Sequence, residues 1–290
     1  MLSSRFRTYS ISVILLFLTV AMATSCGGQS SQNSSTLPPS SPSSPTYQLV
    51  WSDEFNGADG SVPDATKWAI QTGGDGWGNH ELEYYTARPQ NVQVSGGNLV
   101  ITAAKEDYTG PDGVTQHYTS ARLQTKGLFS QTNGRFEARI KIPKGQGMWP
   151  AFWMLGNDID TSGWPACGEI DIMENIGKEP AINHGSLHGP GYAPGNVTAS
   201  YTIPTGALAD DYHVYAVEWE AQQVRFYVDS TLYATFTPSN LPQGSPWEFN
   251  KPFFVLLNVA VGGDWPGSPD GTTQFPQQML VDYVRVYQRQ

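Results

Sequence analysis

Two cysteines, Cys26 and Cys167, are all that 290 residues hold. A fold resting on a disulfide framework is thereby excluded, and the mature chain must rest on its core if Cys26 is used elsewhere. Basic residues are also scarce, 16 against 26 acidic ones, for a net charge of −10. Such a surface repels nucleic acid and anionic membranes, so polyphosphate and DNA are poor substrates for it. No run shows a convincing helical period, and no repeat of 20 to 50 residues is found. The longest apolar run, ISVILLFLTVAMA, is too short to span a bilayer comfortably.

That run follows Arg5 and Arg7 and precedes small residues and Cys26, the layout of an export leader over 1–25. Ala21-Met22-Ala23 suits an ordinary cleavage site, whereas ATSC ending at Cys26 suits a bacterial lipobox. The lipoprotein reading is preferred because a Gly-Gly and Ser-rich tether follows. The expected location is therefore exported, either lipid-anchored at the cell envelope or secreted, with membrane contact only through that anchor. Residues 26–46 read as a Ser/Pro-rich linker unable to bury enough apolar surface to fold.

From Tyr47 to Gln290 the sequence turns dense in short apolar runs separated by Gly, Pro, Asn and Asp. NLVITAAK, GRFEARIKI, VYAVEWEA, QVRFYVDSTLYATF, FFVLLNVAV and MLVDYVRVYQ read as strands. Val224, Phe226 and Val228 alternate with Arg225, Tyr227 and Asp229, as a half-buried strand requires. The expectation is one all-β domain over 47–290, a jelly-roll sandwich of two antiparallel sheets with a concave cleft, acting as a monomer.

GEIDIMENIG, residues 168–177, places Glu169, Asp171 and Glu174 in an apolar run. Alternation aims Glu169 and Asp171 at one face, but Glu174 has the parity of Ile170 and Ile172. An unpaired carboxylate in the core is costly, so an extra residue at Ile172 or Met173 is expected to form a β-bulge and return Glu174 to the acidic face. Two carboxyl groups so placed can serve as nucleophile and proton donor in glycoside hydrolysis, with Asp171 between them helping to keep a proton on the cluster. A solvated strand face or a calcium site is the alternative on spacing alone.

Nine Trp exceed what a core of this size ordinarily uses. Trp149 and Trp153 lie just upstream of the acids and Trp164 between, with Trp265 downstream, so stacking on sugar rings is expected. Cys167 reads as a small buried thiol rather than a nucleophile.

GEIDIMENIG preceded by GMWPAFWML resembles the signature of glycoside hydrolase family 16, and in particular its bacterial endo-β-1,3-glucanases. LVWSDEFNG, WGNHELEYYT, GGNLVITA, SARLQTKGLF, GRFEARIKIP, SLHGP, LNVAVGGDWPG and VDYVRVYQ carry the likeness across nearly the whole domain. The resemblance implies retaining hydrolysis of a β-1,3-glucan without a catalytic cofactor, Glu169 as nucleophile, Glu174 as acid/base and Asp171 as their helper. It further implies Asn79, Glu81, Arg122, Trp149, Trp153, Trp164 and His188 along the sugar subsites, with Trp265 nearby. A structural Ca²⁺ held by the carbonyls of Glu54 and Gly97 and the carboxylate of Asp282 is implied as well. His80 stands where many members carry a smaller or amide residue. Mixed-linkage β-glucan, algal galactan, a non-catalytic glucan-binding lectin and a calcium-dependent adhesion module remain open. By the same resemblance, the mixed-linkage lichenases of the family lack the residue corresponding to Met173, whereas laminarinases, agarases and carrageenases have it.

Overall fold

Alternating burial builds the framework. On the strand Gln223–Val228 the side chains of Val224, Phe226 and Val228 are fully buried, while Gln223, Arg225 and Tyr227 reach toward solvent. The computed structural model describes residues 46–195 and 197–290, so the expected leader, the linker and Cys26 lie outside the described residues.

Two sheets enclose the main core. The seven-stranded sheet runs through Thr198–Thr202, Ile182–His188, Glu169–Glu174, Met148–Gly156, Phe253–Val261, Arg122–Gln124 and Ala69–Gln71. The ten-stranded sheet runs through Thr231–Phe236, Gln223–Val228, His213–Glu220, Gly134–Lys141, Gln277–Arg289, Asn98–Thr109, Thr115–Ser120 and Glu83–Tyr85. Tyr47–Asp53 joins it along Gln277–Arg289, and Val92–Ser95 along Asn98–Thr109. All six runs expected to be strands form strands, QVRFYVDSTLYATF as the pair Gln223–Val228 and Thr231–Phe236.

One detail departs from two purely antiparallel sheets: Glu83–Tyr85 pairs parallel with Thr115–Ser120. Val92–Ser95 and Asn98–Thr109 are antiparallel, as are Asn98–Thr109 and Thr115–Ser120, and these two reversals restore the chain direction. Among the described residues, helix is confined to single turns at Ile159–Ser162 and Pro238–Asn240.

Phe253–Val261 is buried at every position because both of its faces are covered. Phe253, Val255, Leu257, Val259 and Val261 enter the main core, whereas Phe254 and Leu256 join Leu155 and Cys167 in a smaller apolar cluster flanked by Trp153 and Ile159. Cys167 is accordingly a free, fully buried thiol, and burial pushes its pKa up to about 11. That is the inert small residue anticipated.

Candidate active site

The acidic strand Glu169–Glu174 lies between Ile182–His188 and Met148–Gly156. Against the latter, Asp171 pairs with Trp153, Met173 with Phe152 and Glu174 with Ala151, which leaves Ile172 unmatched. The anticipated bulge is there. Ile170, Ile172 and Met173 all enter the main core with no exposed surface, so the extra residue is anchored by apolar packing. Truncating Ile172 to alanine would cost about 2–5 kcal/mol. Past the bulge Glu174 leaves the core, and Glu169 and Glu174 are partly exposed while Asp171 is 2% exposed.

Each acid has a built partner. The Trp164 indole Nε1 donates to Glu169 Oε2 at 2.7 Å, and the Trp149 indole Nε1 donates to Glu174 Oε1 at 3.0 Å. His188 Nε2 lies 2.8 Å from Asp171 Oδ2. Among the described residues, Glu169, Asp171 and His188 are the one set of three side chains whose ligand-type atoms gather within 4.8 Å.

Crowding and burial raise the pKa values of the three acids together. Burial, then the Asp171 charge, pushes Glu169 up to about 8, against the pull of His188. Burial pushes Glu174 up to about 7, with His188 and the Trp149 N–H opposing and the Glu169 charge adding. Asp171 is held well above the carboxylate range by burial and by Glu174, and it is hydrogen-bonded to Glu169. The cluster therefore carries protons near neutral pH, which a proton donor to a leaving group requires.

Aromatic rings line the cleft on both sides. Trp265 meets Trp149 edge-on at 5.5 Å between centroids and His184 at 5.0 Å. His184 is fixed in turn by Glu179 at 3.0 Å and Ser200 at 3.1 Å. On the other side the Arg122 guanidinium is held between the rings of Trp77 and Trp153, 4.7 Å from each centroid, and its Nε donates to Gln71 Oε1 at 2.7 Å. Trp164 is the most open of the four expected platforms, 51% exposed. The residues expected along the subsites thus gather on one sheet face and its bordering loops.

Glu81 is placed differently from a surface sugar contact. It is 5% exposed and already accepts from Asn79 Nδ2 at 3.1 Å and from the Tyr85 hydroxyl at 3.0 Å. Sequence reasoning missed Trp77, Tyr85, His184 and Asn258. Trp77 and Tyr85 sit inside the motif WGNHELEYYT and Asn258 inside LNVAVGGDWPG, so their company was the available signal. His80, on the same loop, pairs with Asp264 at 2.9 Å across the cleft border.

The expected calcium ligands converge by register. Asp53 pairs with Val284 and Leu99 with Val281, so Glu54 and Gly97 flank the bulge that Asp282 makes on Gln277–Arg289. Two carbonyls and a carboxylate form an oxygen-only set that suits a hard cation. The Asp282 carboxylate currently receives Arg139 at 2.8 Å, so an ion there would have to take its place.

A concave sheet bearing two partly buried, protonatable Glu residues between walls of indole defines a carbohydrate-cleaving enzyme, a glycoside hydrolase. Comparison with known proteins agrees. The family described as Glycosyl hydrolases family 16 matches residues 79–285, and the chain belongs to it. It is 46% identical over 255 residues to a beta-glucanase of Rhodothermus marinus, covering 84% of this chain and 86% of that one. It superimposes on the laminarinase catalytic domain of Thermotoga maritima with a TM-score of 0.79 at 48% identity, covering 83% of this chain and 98% of that domain. An endo-beta-1,3-glucanase of Pyrococcus furiosus gives a TM-score of 0.80 at 47% identity, over 84% of this chain and 95% of that one.

Proposed function

We propose that the protein is a retaining endo-β-1,3-glucanase acting on laminarin-like polysaccharide. The observation that carries this reading is the bulge at Ile172, which brings Glu169 and Glu174 to one indole-lined face. The names of its most similar relatives support the linkage.

Glu174, protonated, gives its proton to the glycosidic oxygen while the Glu169 carboxylate attacks the anomeric carbon. The glycosyl-enzyme forms as the leaving chain departs with that proton. Water then enters, Glu174 takes a proton from it, and the sugar leaves with its anomeric configuration restored. Asp171 hydrogen-bonds Glu169 and shares the proton load, and His188 holds Asp171 in place at 2.8 Å. Trp149, Trp153, Trp164 and Trp265 offer faces and edges to the sugar rings.

Release of reducing ends from laminarin, lichenan and agarose tests the substrate. Laminarin should be cut internally to short β-1,3-oligosaccharides. Preference for lichenan or agarose would overturn the linkage, and no cleavage of any would favour a binding protein.

The Ca²⁺ proposed at Glu54, Gly97 and Asp282 would be structural, tying the ends of Tyr47–Asp53 and Val92–Ser95 to the bulge in Gln277–Arg289. Export follows from Arg5, Arg7 and the apolar run, with Cys26 as lipid attachment point. Radiolabelled fatty acid should enter the wild-type chain but not Cys26→Ser. Equal labelling, or a wholly soluble mature protein, would point to simple secretion.

A further inference from the structure

Below the cleft floor lies a second pair of carboxyl groups that the reaction does not touch. Glu81, Glu83 and Tyr85 share one side of an extended segment, and Glu83 has no exposed surface. Glu83 Oε2 accepts from the Val261 N–H at 2.6 Å, tying it to the fully buried strand Phe253–Val261 of the cleft sheet. Its other oxygen finds no N–H or O–H donor among the described residues. The Glu81 carboxyl group shares its side of the segment, and together with burial it favours the protonated form of Glu83.

From Glu81 a continuous chain leads to the sugar-binding surface. The Tyr85 hydroxyl donates to Glu81 Oε2 at 3.0 Å, Asn258 Nδ2 donates to the Tyr85 oxygen at 3.1 Å, and Trp153 Nε1 donates to Asn258 Oδ1 at 2.7 Å. Trp153 in turn clamps Arg122. Glu81 also orients Asn79, whose carbonyl accepts the Asp264 N–H at 2.9 Å in the loop that carries Trp265.

We propose that Glu83 is a positioning residue that acts as a neutral carboxylic acid, donating its proton to Glu81 and thereby setting Tyr85, Asn258, Trp153 and Asn79 for substrate binding. This rests on the reading of the cleft as a glucan site. The charge environment favours the neutral form. Glu81 and Tyr85 face Glu83 from its own segment, Tyr118 is its register partner on Thr115–Ser120, and Phe253–Val261 brings no ionisable side chain. Arg122 feels the charge of Glu81 and Glu83, but both of its faces are occupied by indole. Burial, reinforced by Glu81, holds Glu83 well above the carboxylate range.

Glu83→Gln separates a neutral donor from a charged group, since the amide N–H can serve Glu81 and the amide oxygen can serve Val261. Laminarin kinetics and thermal melting are followed from pH 6 to pH 9 on both proteins. At pH 6 the variant should fold and match the wild-type KM within about threefold. As pH rises, the wild-type KM should climb when the shared proton leaves and two carboxylates repel, whereas the Glu83→Gln KM should stay flat. The kcat profile, governed by Glu174, should be the same in both.

A KM raised more than threefold at pH 6 or failure of Glu83→Gln to fold would overturn the proposal, because a neutral donor would then not suffice; KM values climbing in parallel would overturn it too, because the titrating group would lie elsewhere. A wild-type chain inactive on laminarin would instead defeat the glucanase reading.

Discussion

Trp149 and Glu174 stand on adjacent strands, and the indole N–H donates to the Glu174 carboxyl at 3.0 Å. The donor stabilises the ionised form of the group proposed as the proton donor. Trp149 therefore contributes to the acidity of Glu174 as well as presenting a ring to the cleft.

Trp149→Phe keeps most of the ring and removes that donor. The Glu174 pKa, about 7 in the native protein, should rise, because an interaction favouring the carboxylate is gone. A proton donor with a higher pKa stays protonated further into alkali, so the alkaline limb of the kcat profile should move to higher pH. A limb that stays fixed or moves down would show that this contact does not tune the acid.

The roles of Glu169 and Glu174 are open to a chemical test, since their raised pKa values, about 8 and about 7, are too similar to divide them. Glu174→Ala should cut laminarin turnover by about 10²–10⁴-fold. On an aryl glycoside with a good leaving group its first step should survive, and azide should release a β-glycosyl azide. Glu169→Ala should lose turnover by about 10⁴-fold or more and give the α-azide. The opposite configurations would exchange the two roles.

The acidic strand and its bulge were legible in the sequence because a three-carboxylate run in an apolar strand has one economical solution. The six long strands were legible for a similar reason, since period-two burial is written in Val224, Phe226 and Val228. The Arg122 clamp was not, because Trp77, Arg122 and Trp153 come from segments far apart in the chain and meet through sheet pairing. Glu83 was hidden for the opposite reason. Beside Glu81 it looks like one more charge on a wet strand, and only the Val261 strand passing behind it makes it a buried acid.

Deleting Met173 tests how far the bulge matters. Without it the remaining residues alternate simply, with Ile170 and Ile172 inward and all three acids outward, so Glu174 still reaches the cleft. The variant should fold and retain measurable activity, with the ratio of lichenan to laminarin cleavage raised. Total loss of activity in a folded variant would show that the bulge positions Glu174 in a way plain alternation does not.

Calcium should be visible in stability. If Glu54, Gly97 and Asp282 hold an ion, chelation should lower Tm and added Ca²⁺ restore it, by about 2.7 kcal/mol at a hundredfold excess over Kd. Asp282→Ala should abolish the response. Identical melting in chelator and in Ca²⁺ would leave Asp282 simply as the partner of Arg139.

The acid cluster should also cost stability in a pH-dependent way. Glu169 has a folded pKa of about 8 against an ordinary value of 4.5. Between those two pH values the native state binds more protons than the unfolded chain, so stability falls as pH rises and the loss is complete only above about 8. Glu169→Gln removes the titrating group while keeping its shape and its capacity to accept from Trp164. The variant and the wild type should melt alike near pH 4.5, where the native carboxyl is neutral. Toward pH 8 the variant should melt higher, by roughly 2–4 °C for each kcal/mol relieved. Glu174 reinforces the trend, because losing the like charge of Glu169 lowers its own raised value. A Tm difference that stays constant from pH 4.5 to pH 8, or that favours the wild type in alkali, would mean that Glu169 is not held against its charged form by its surroundings.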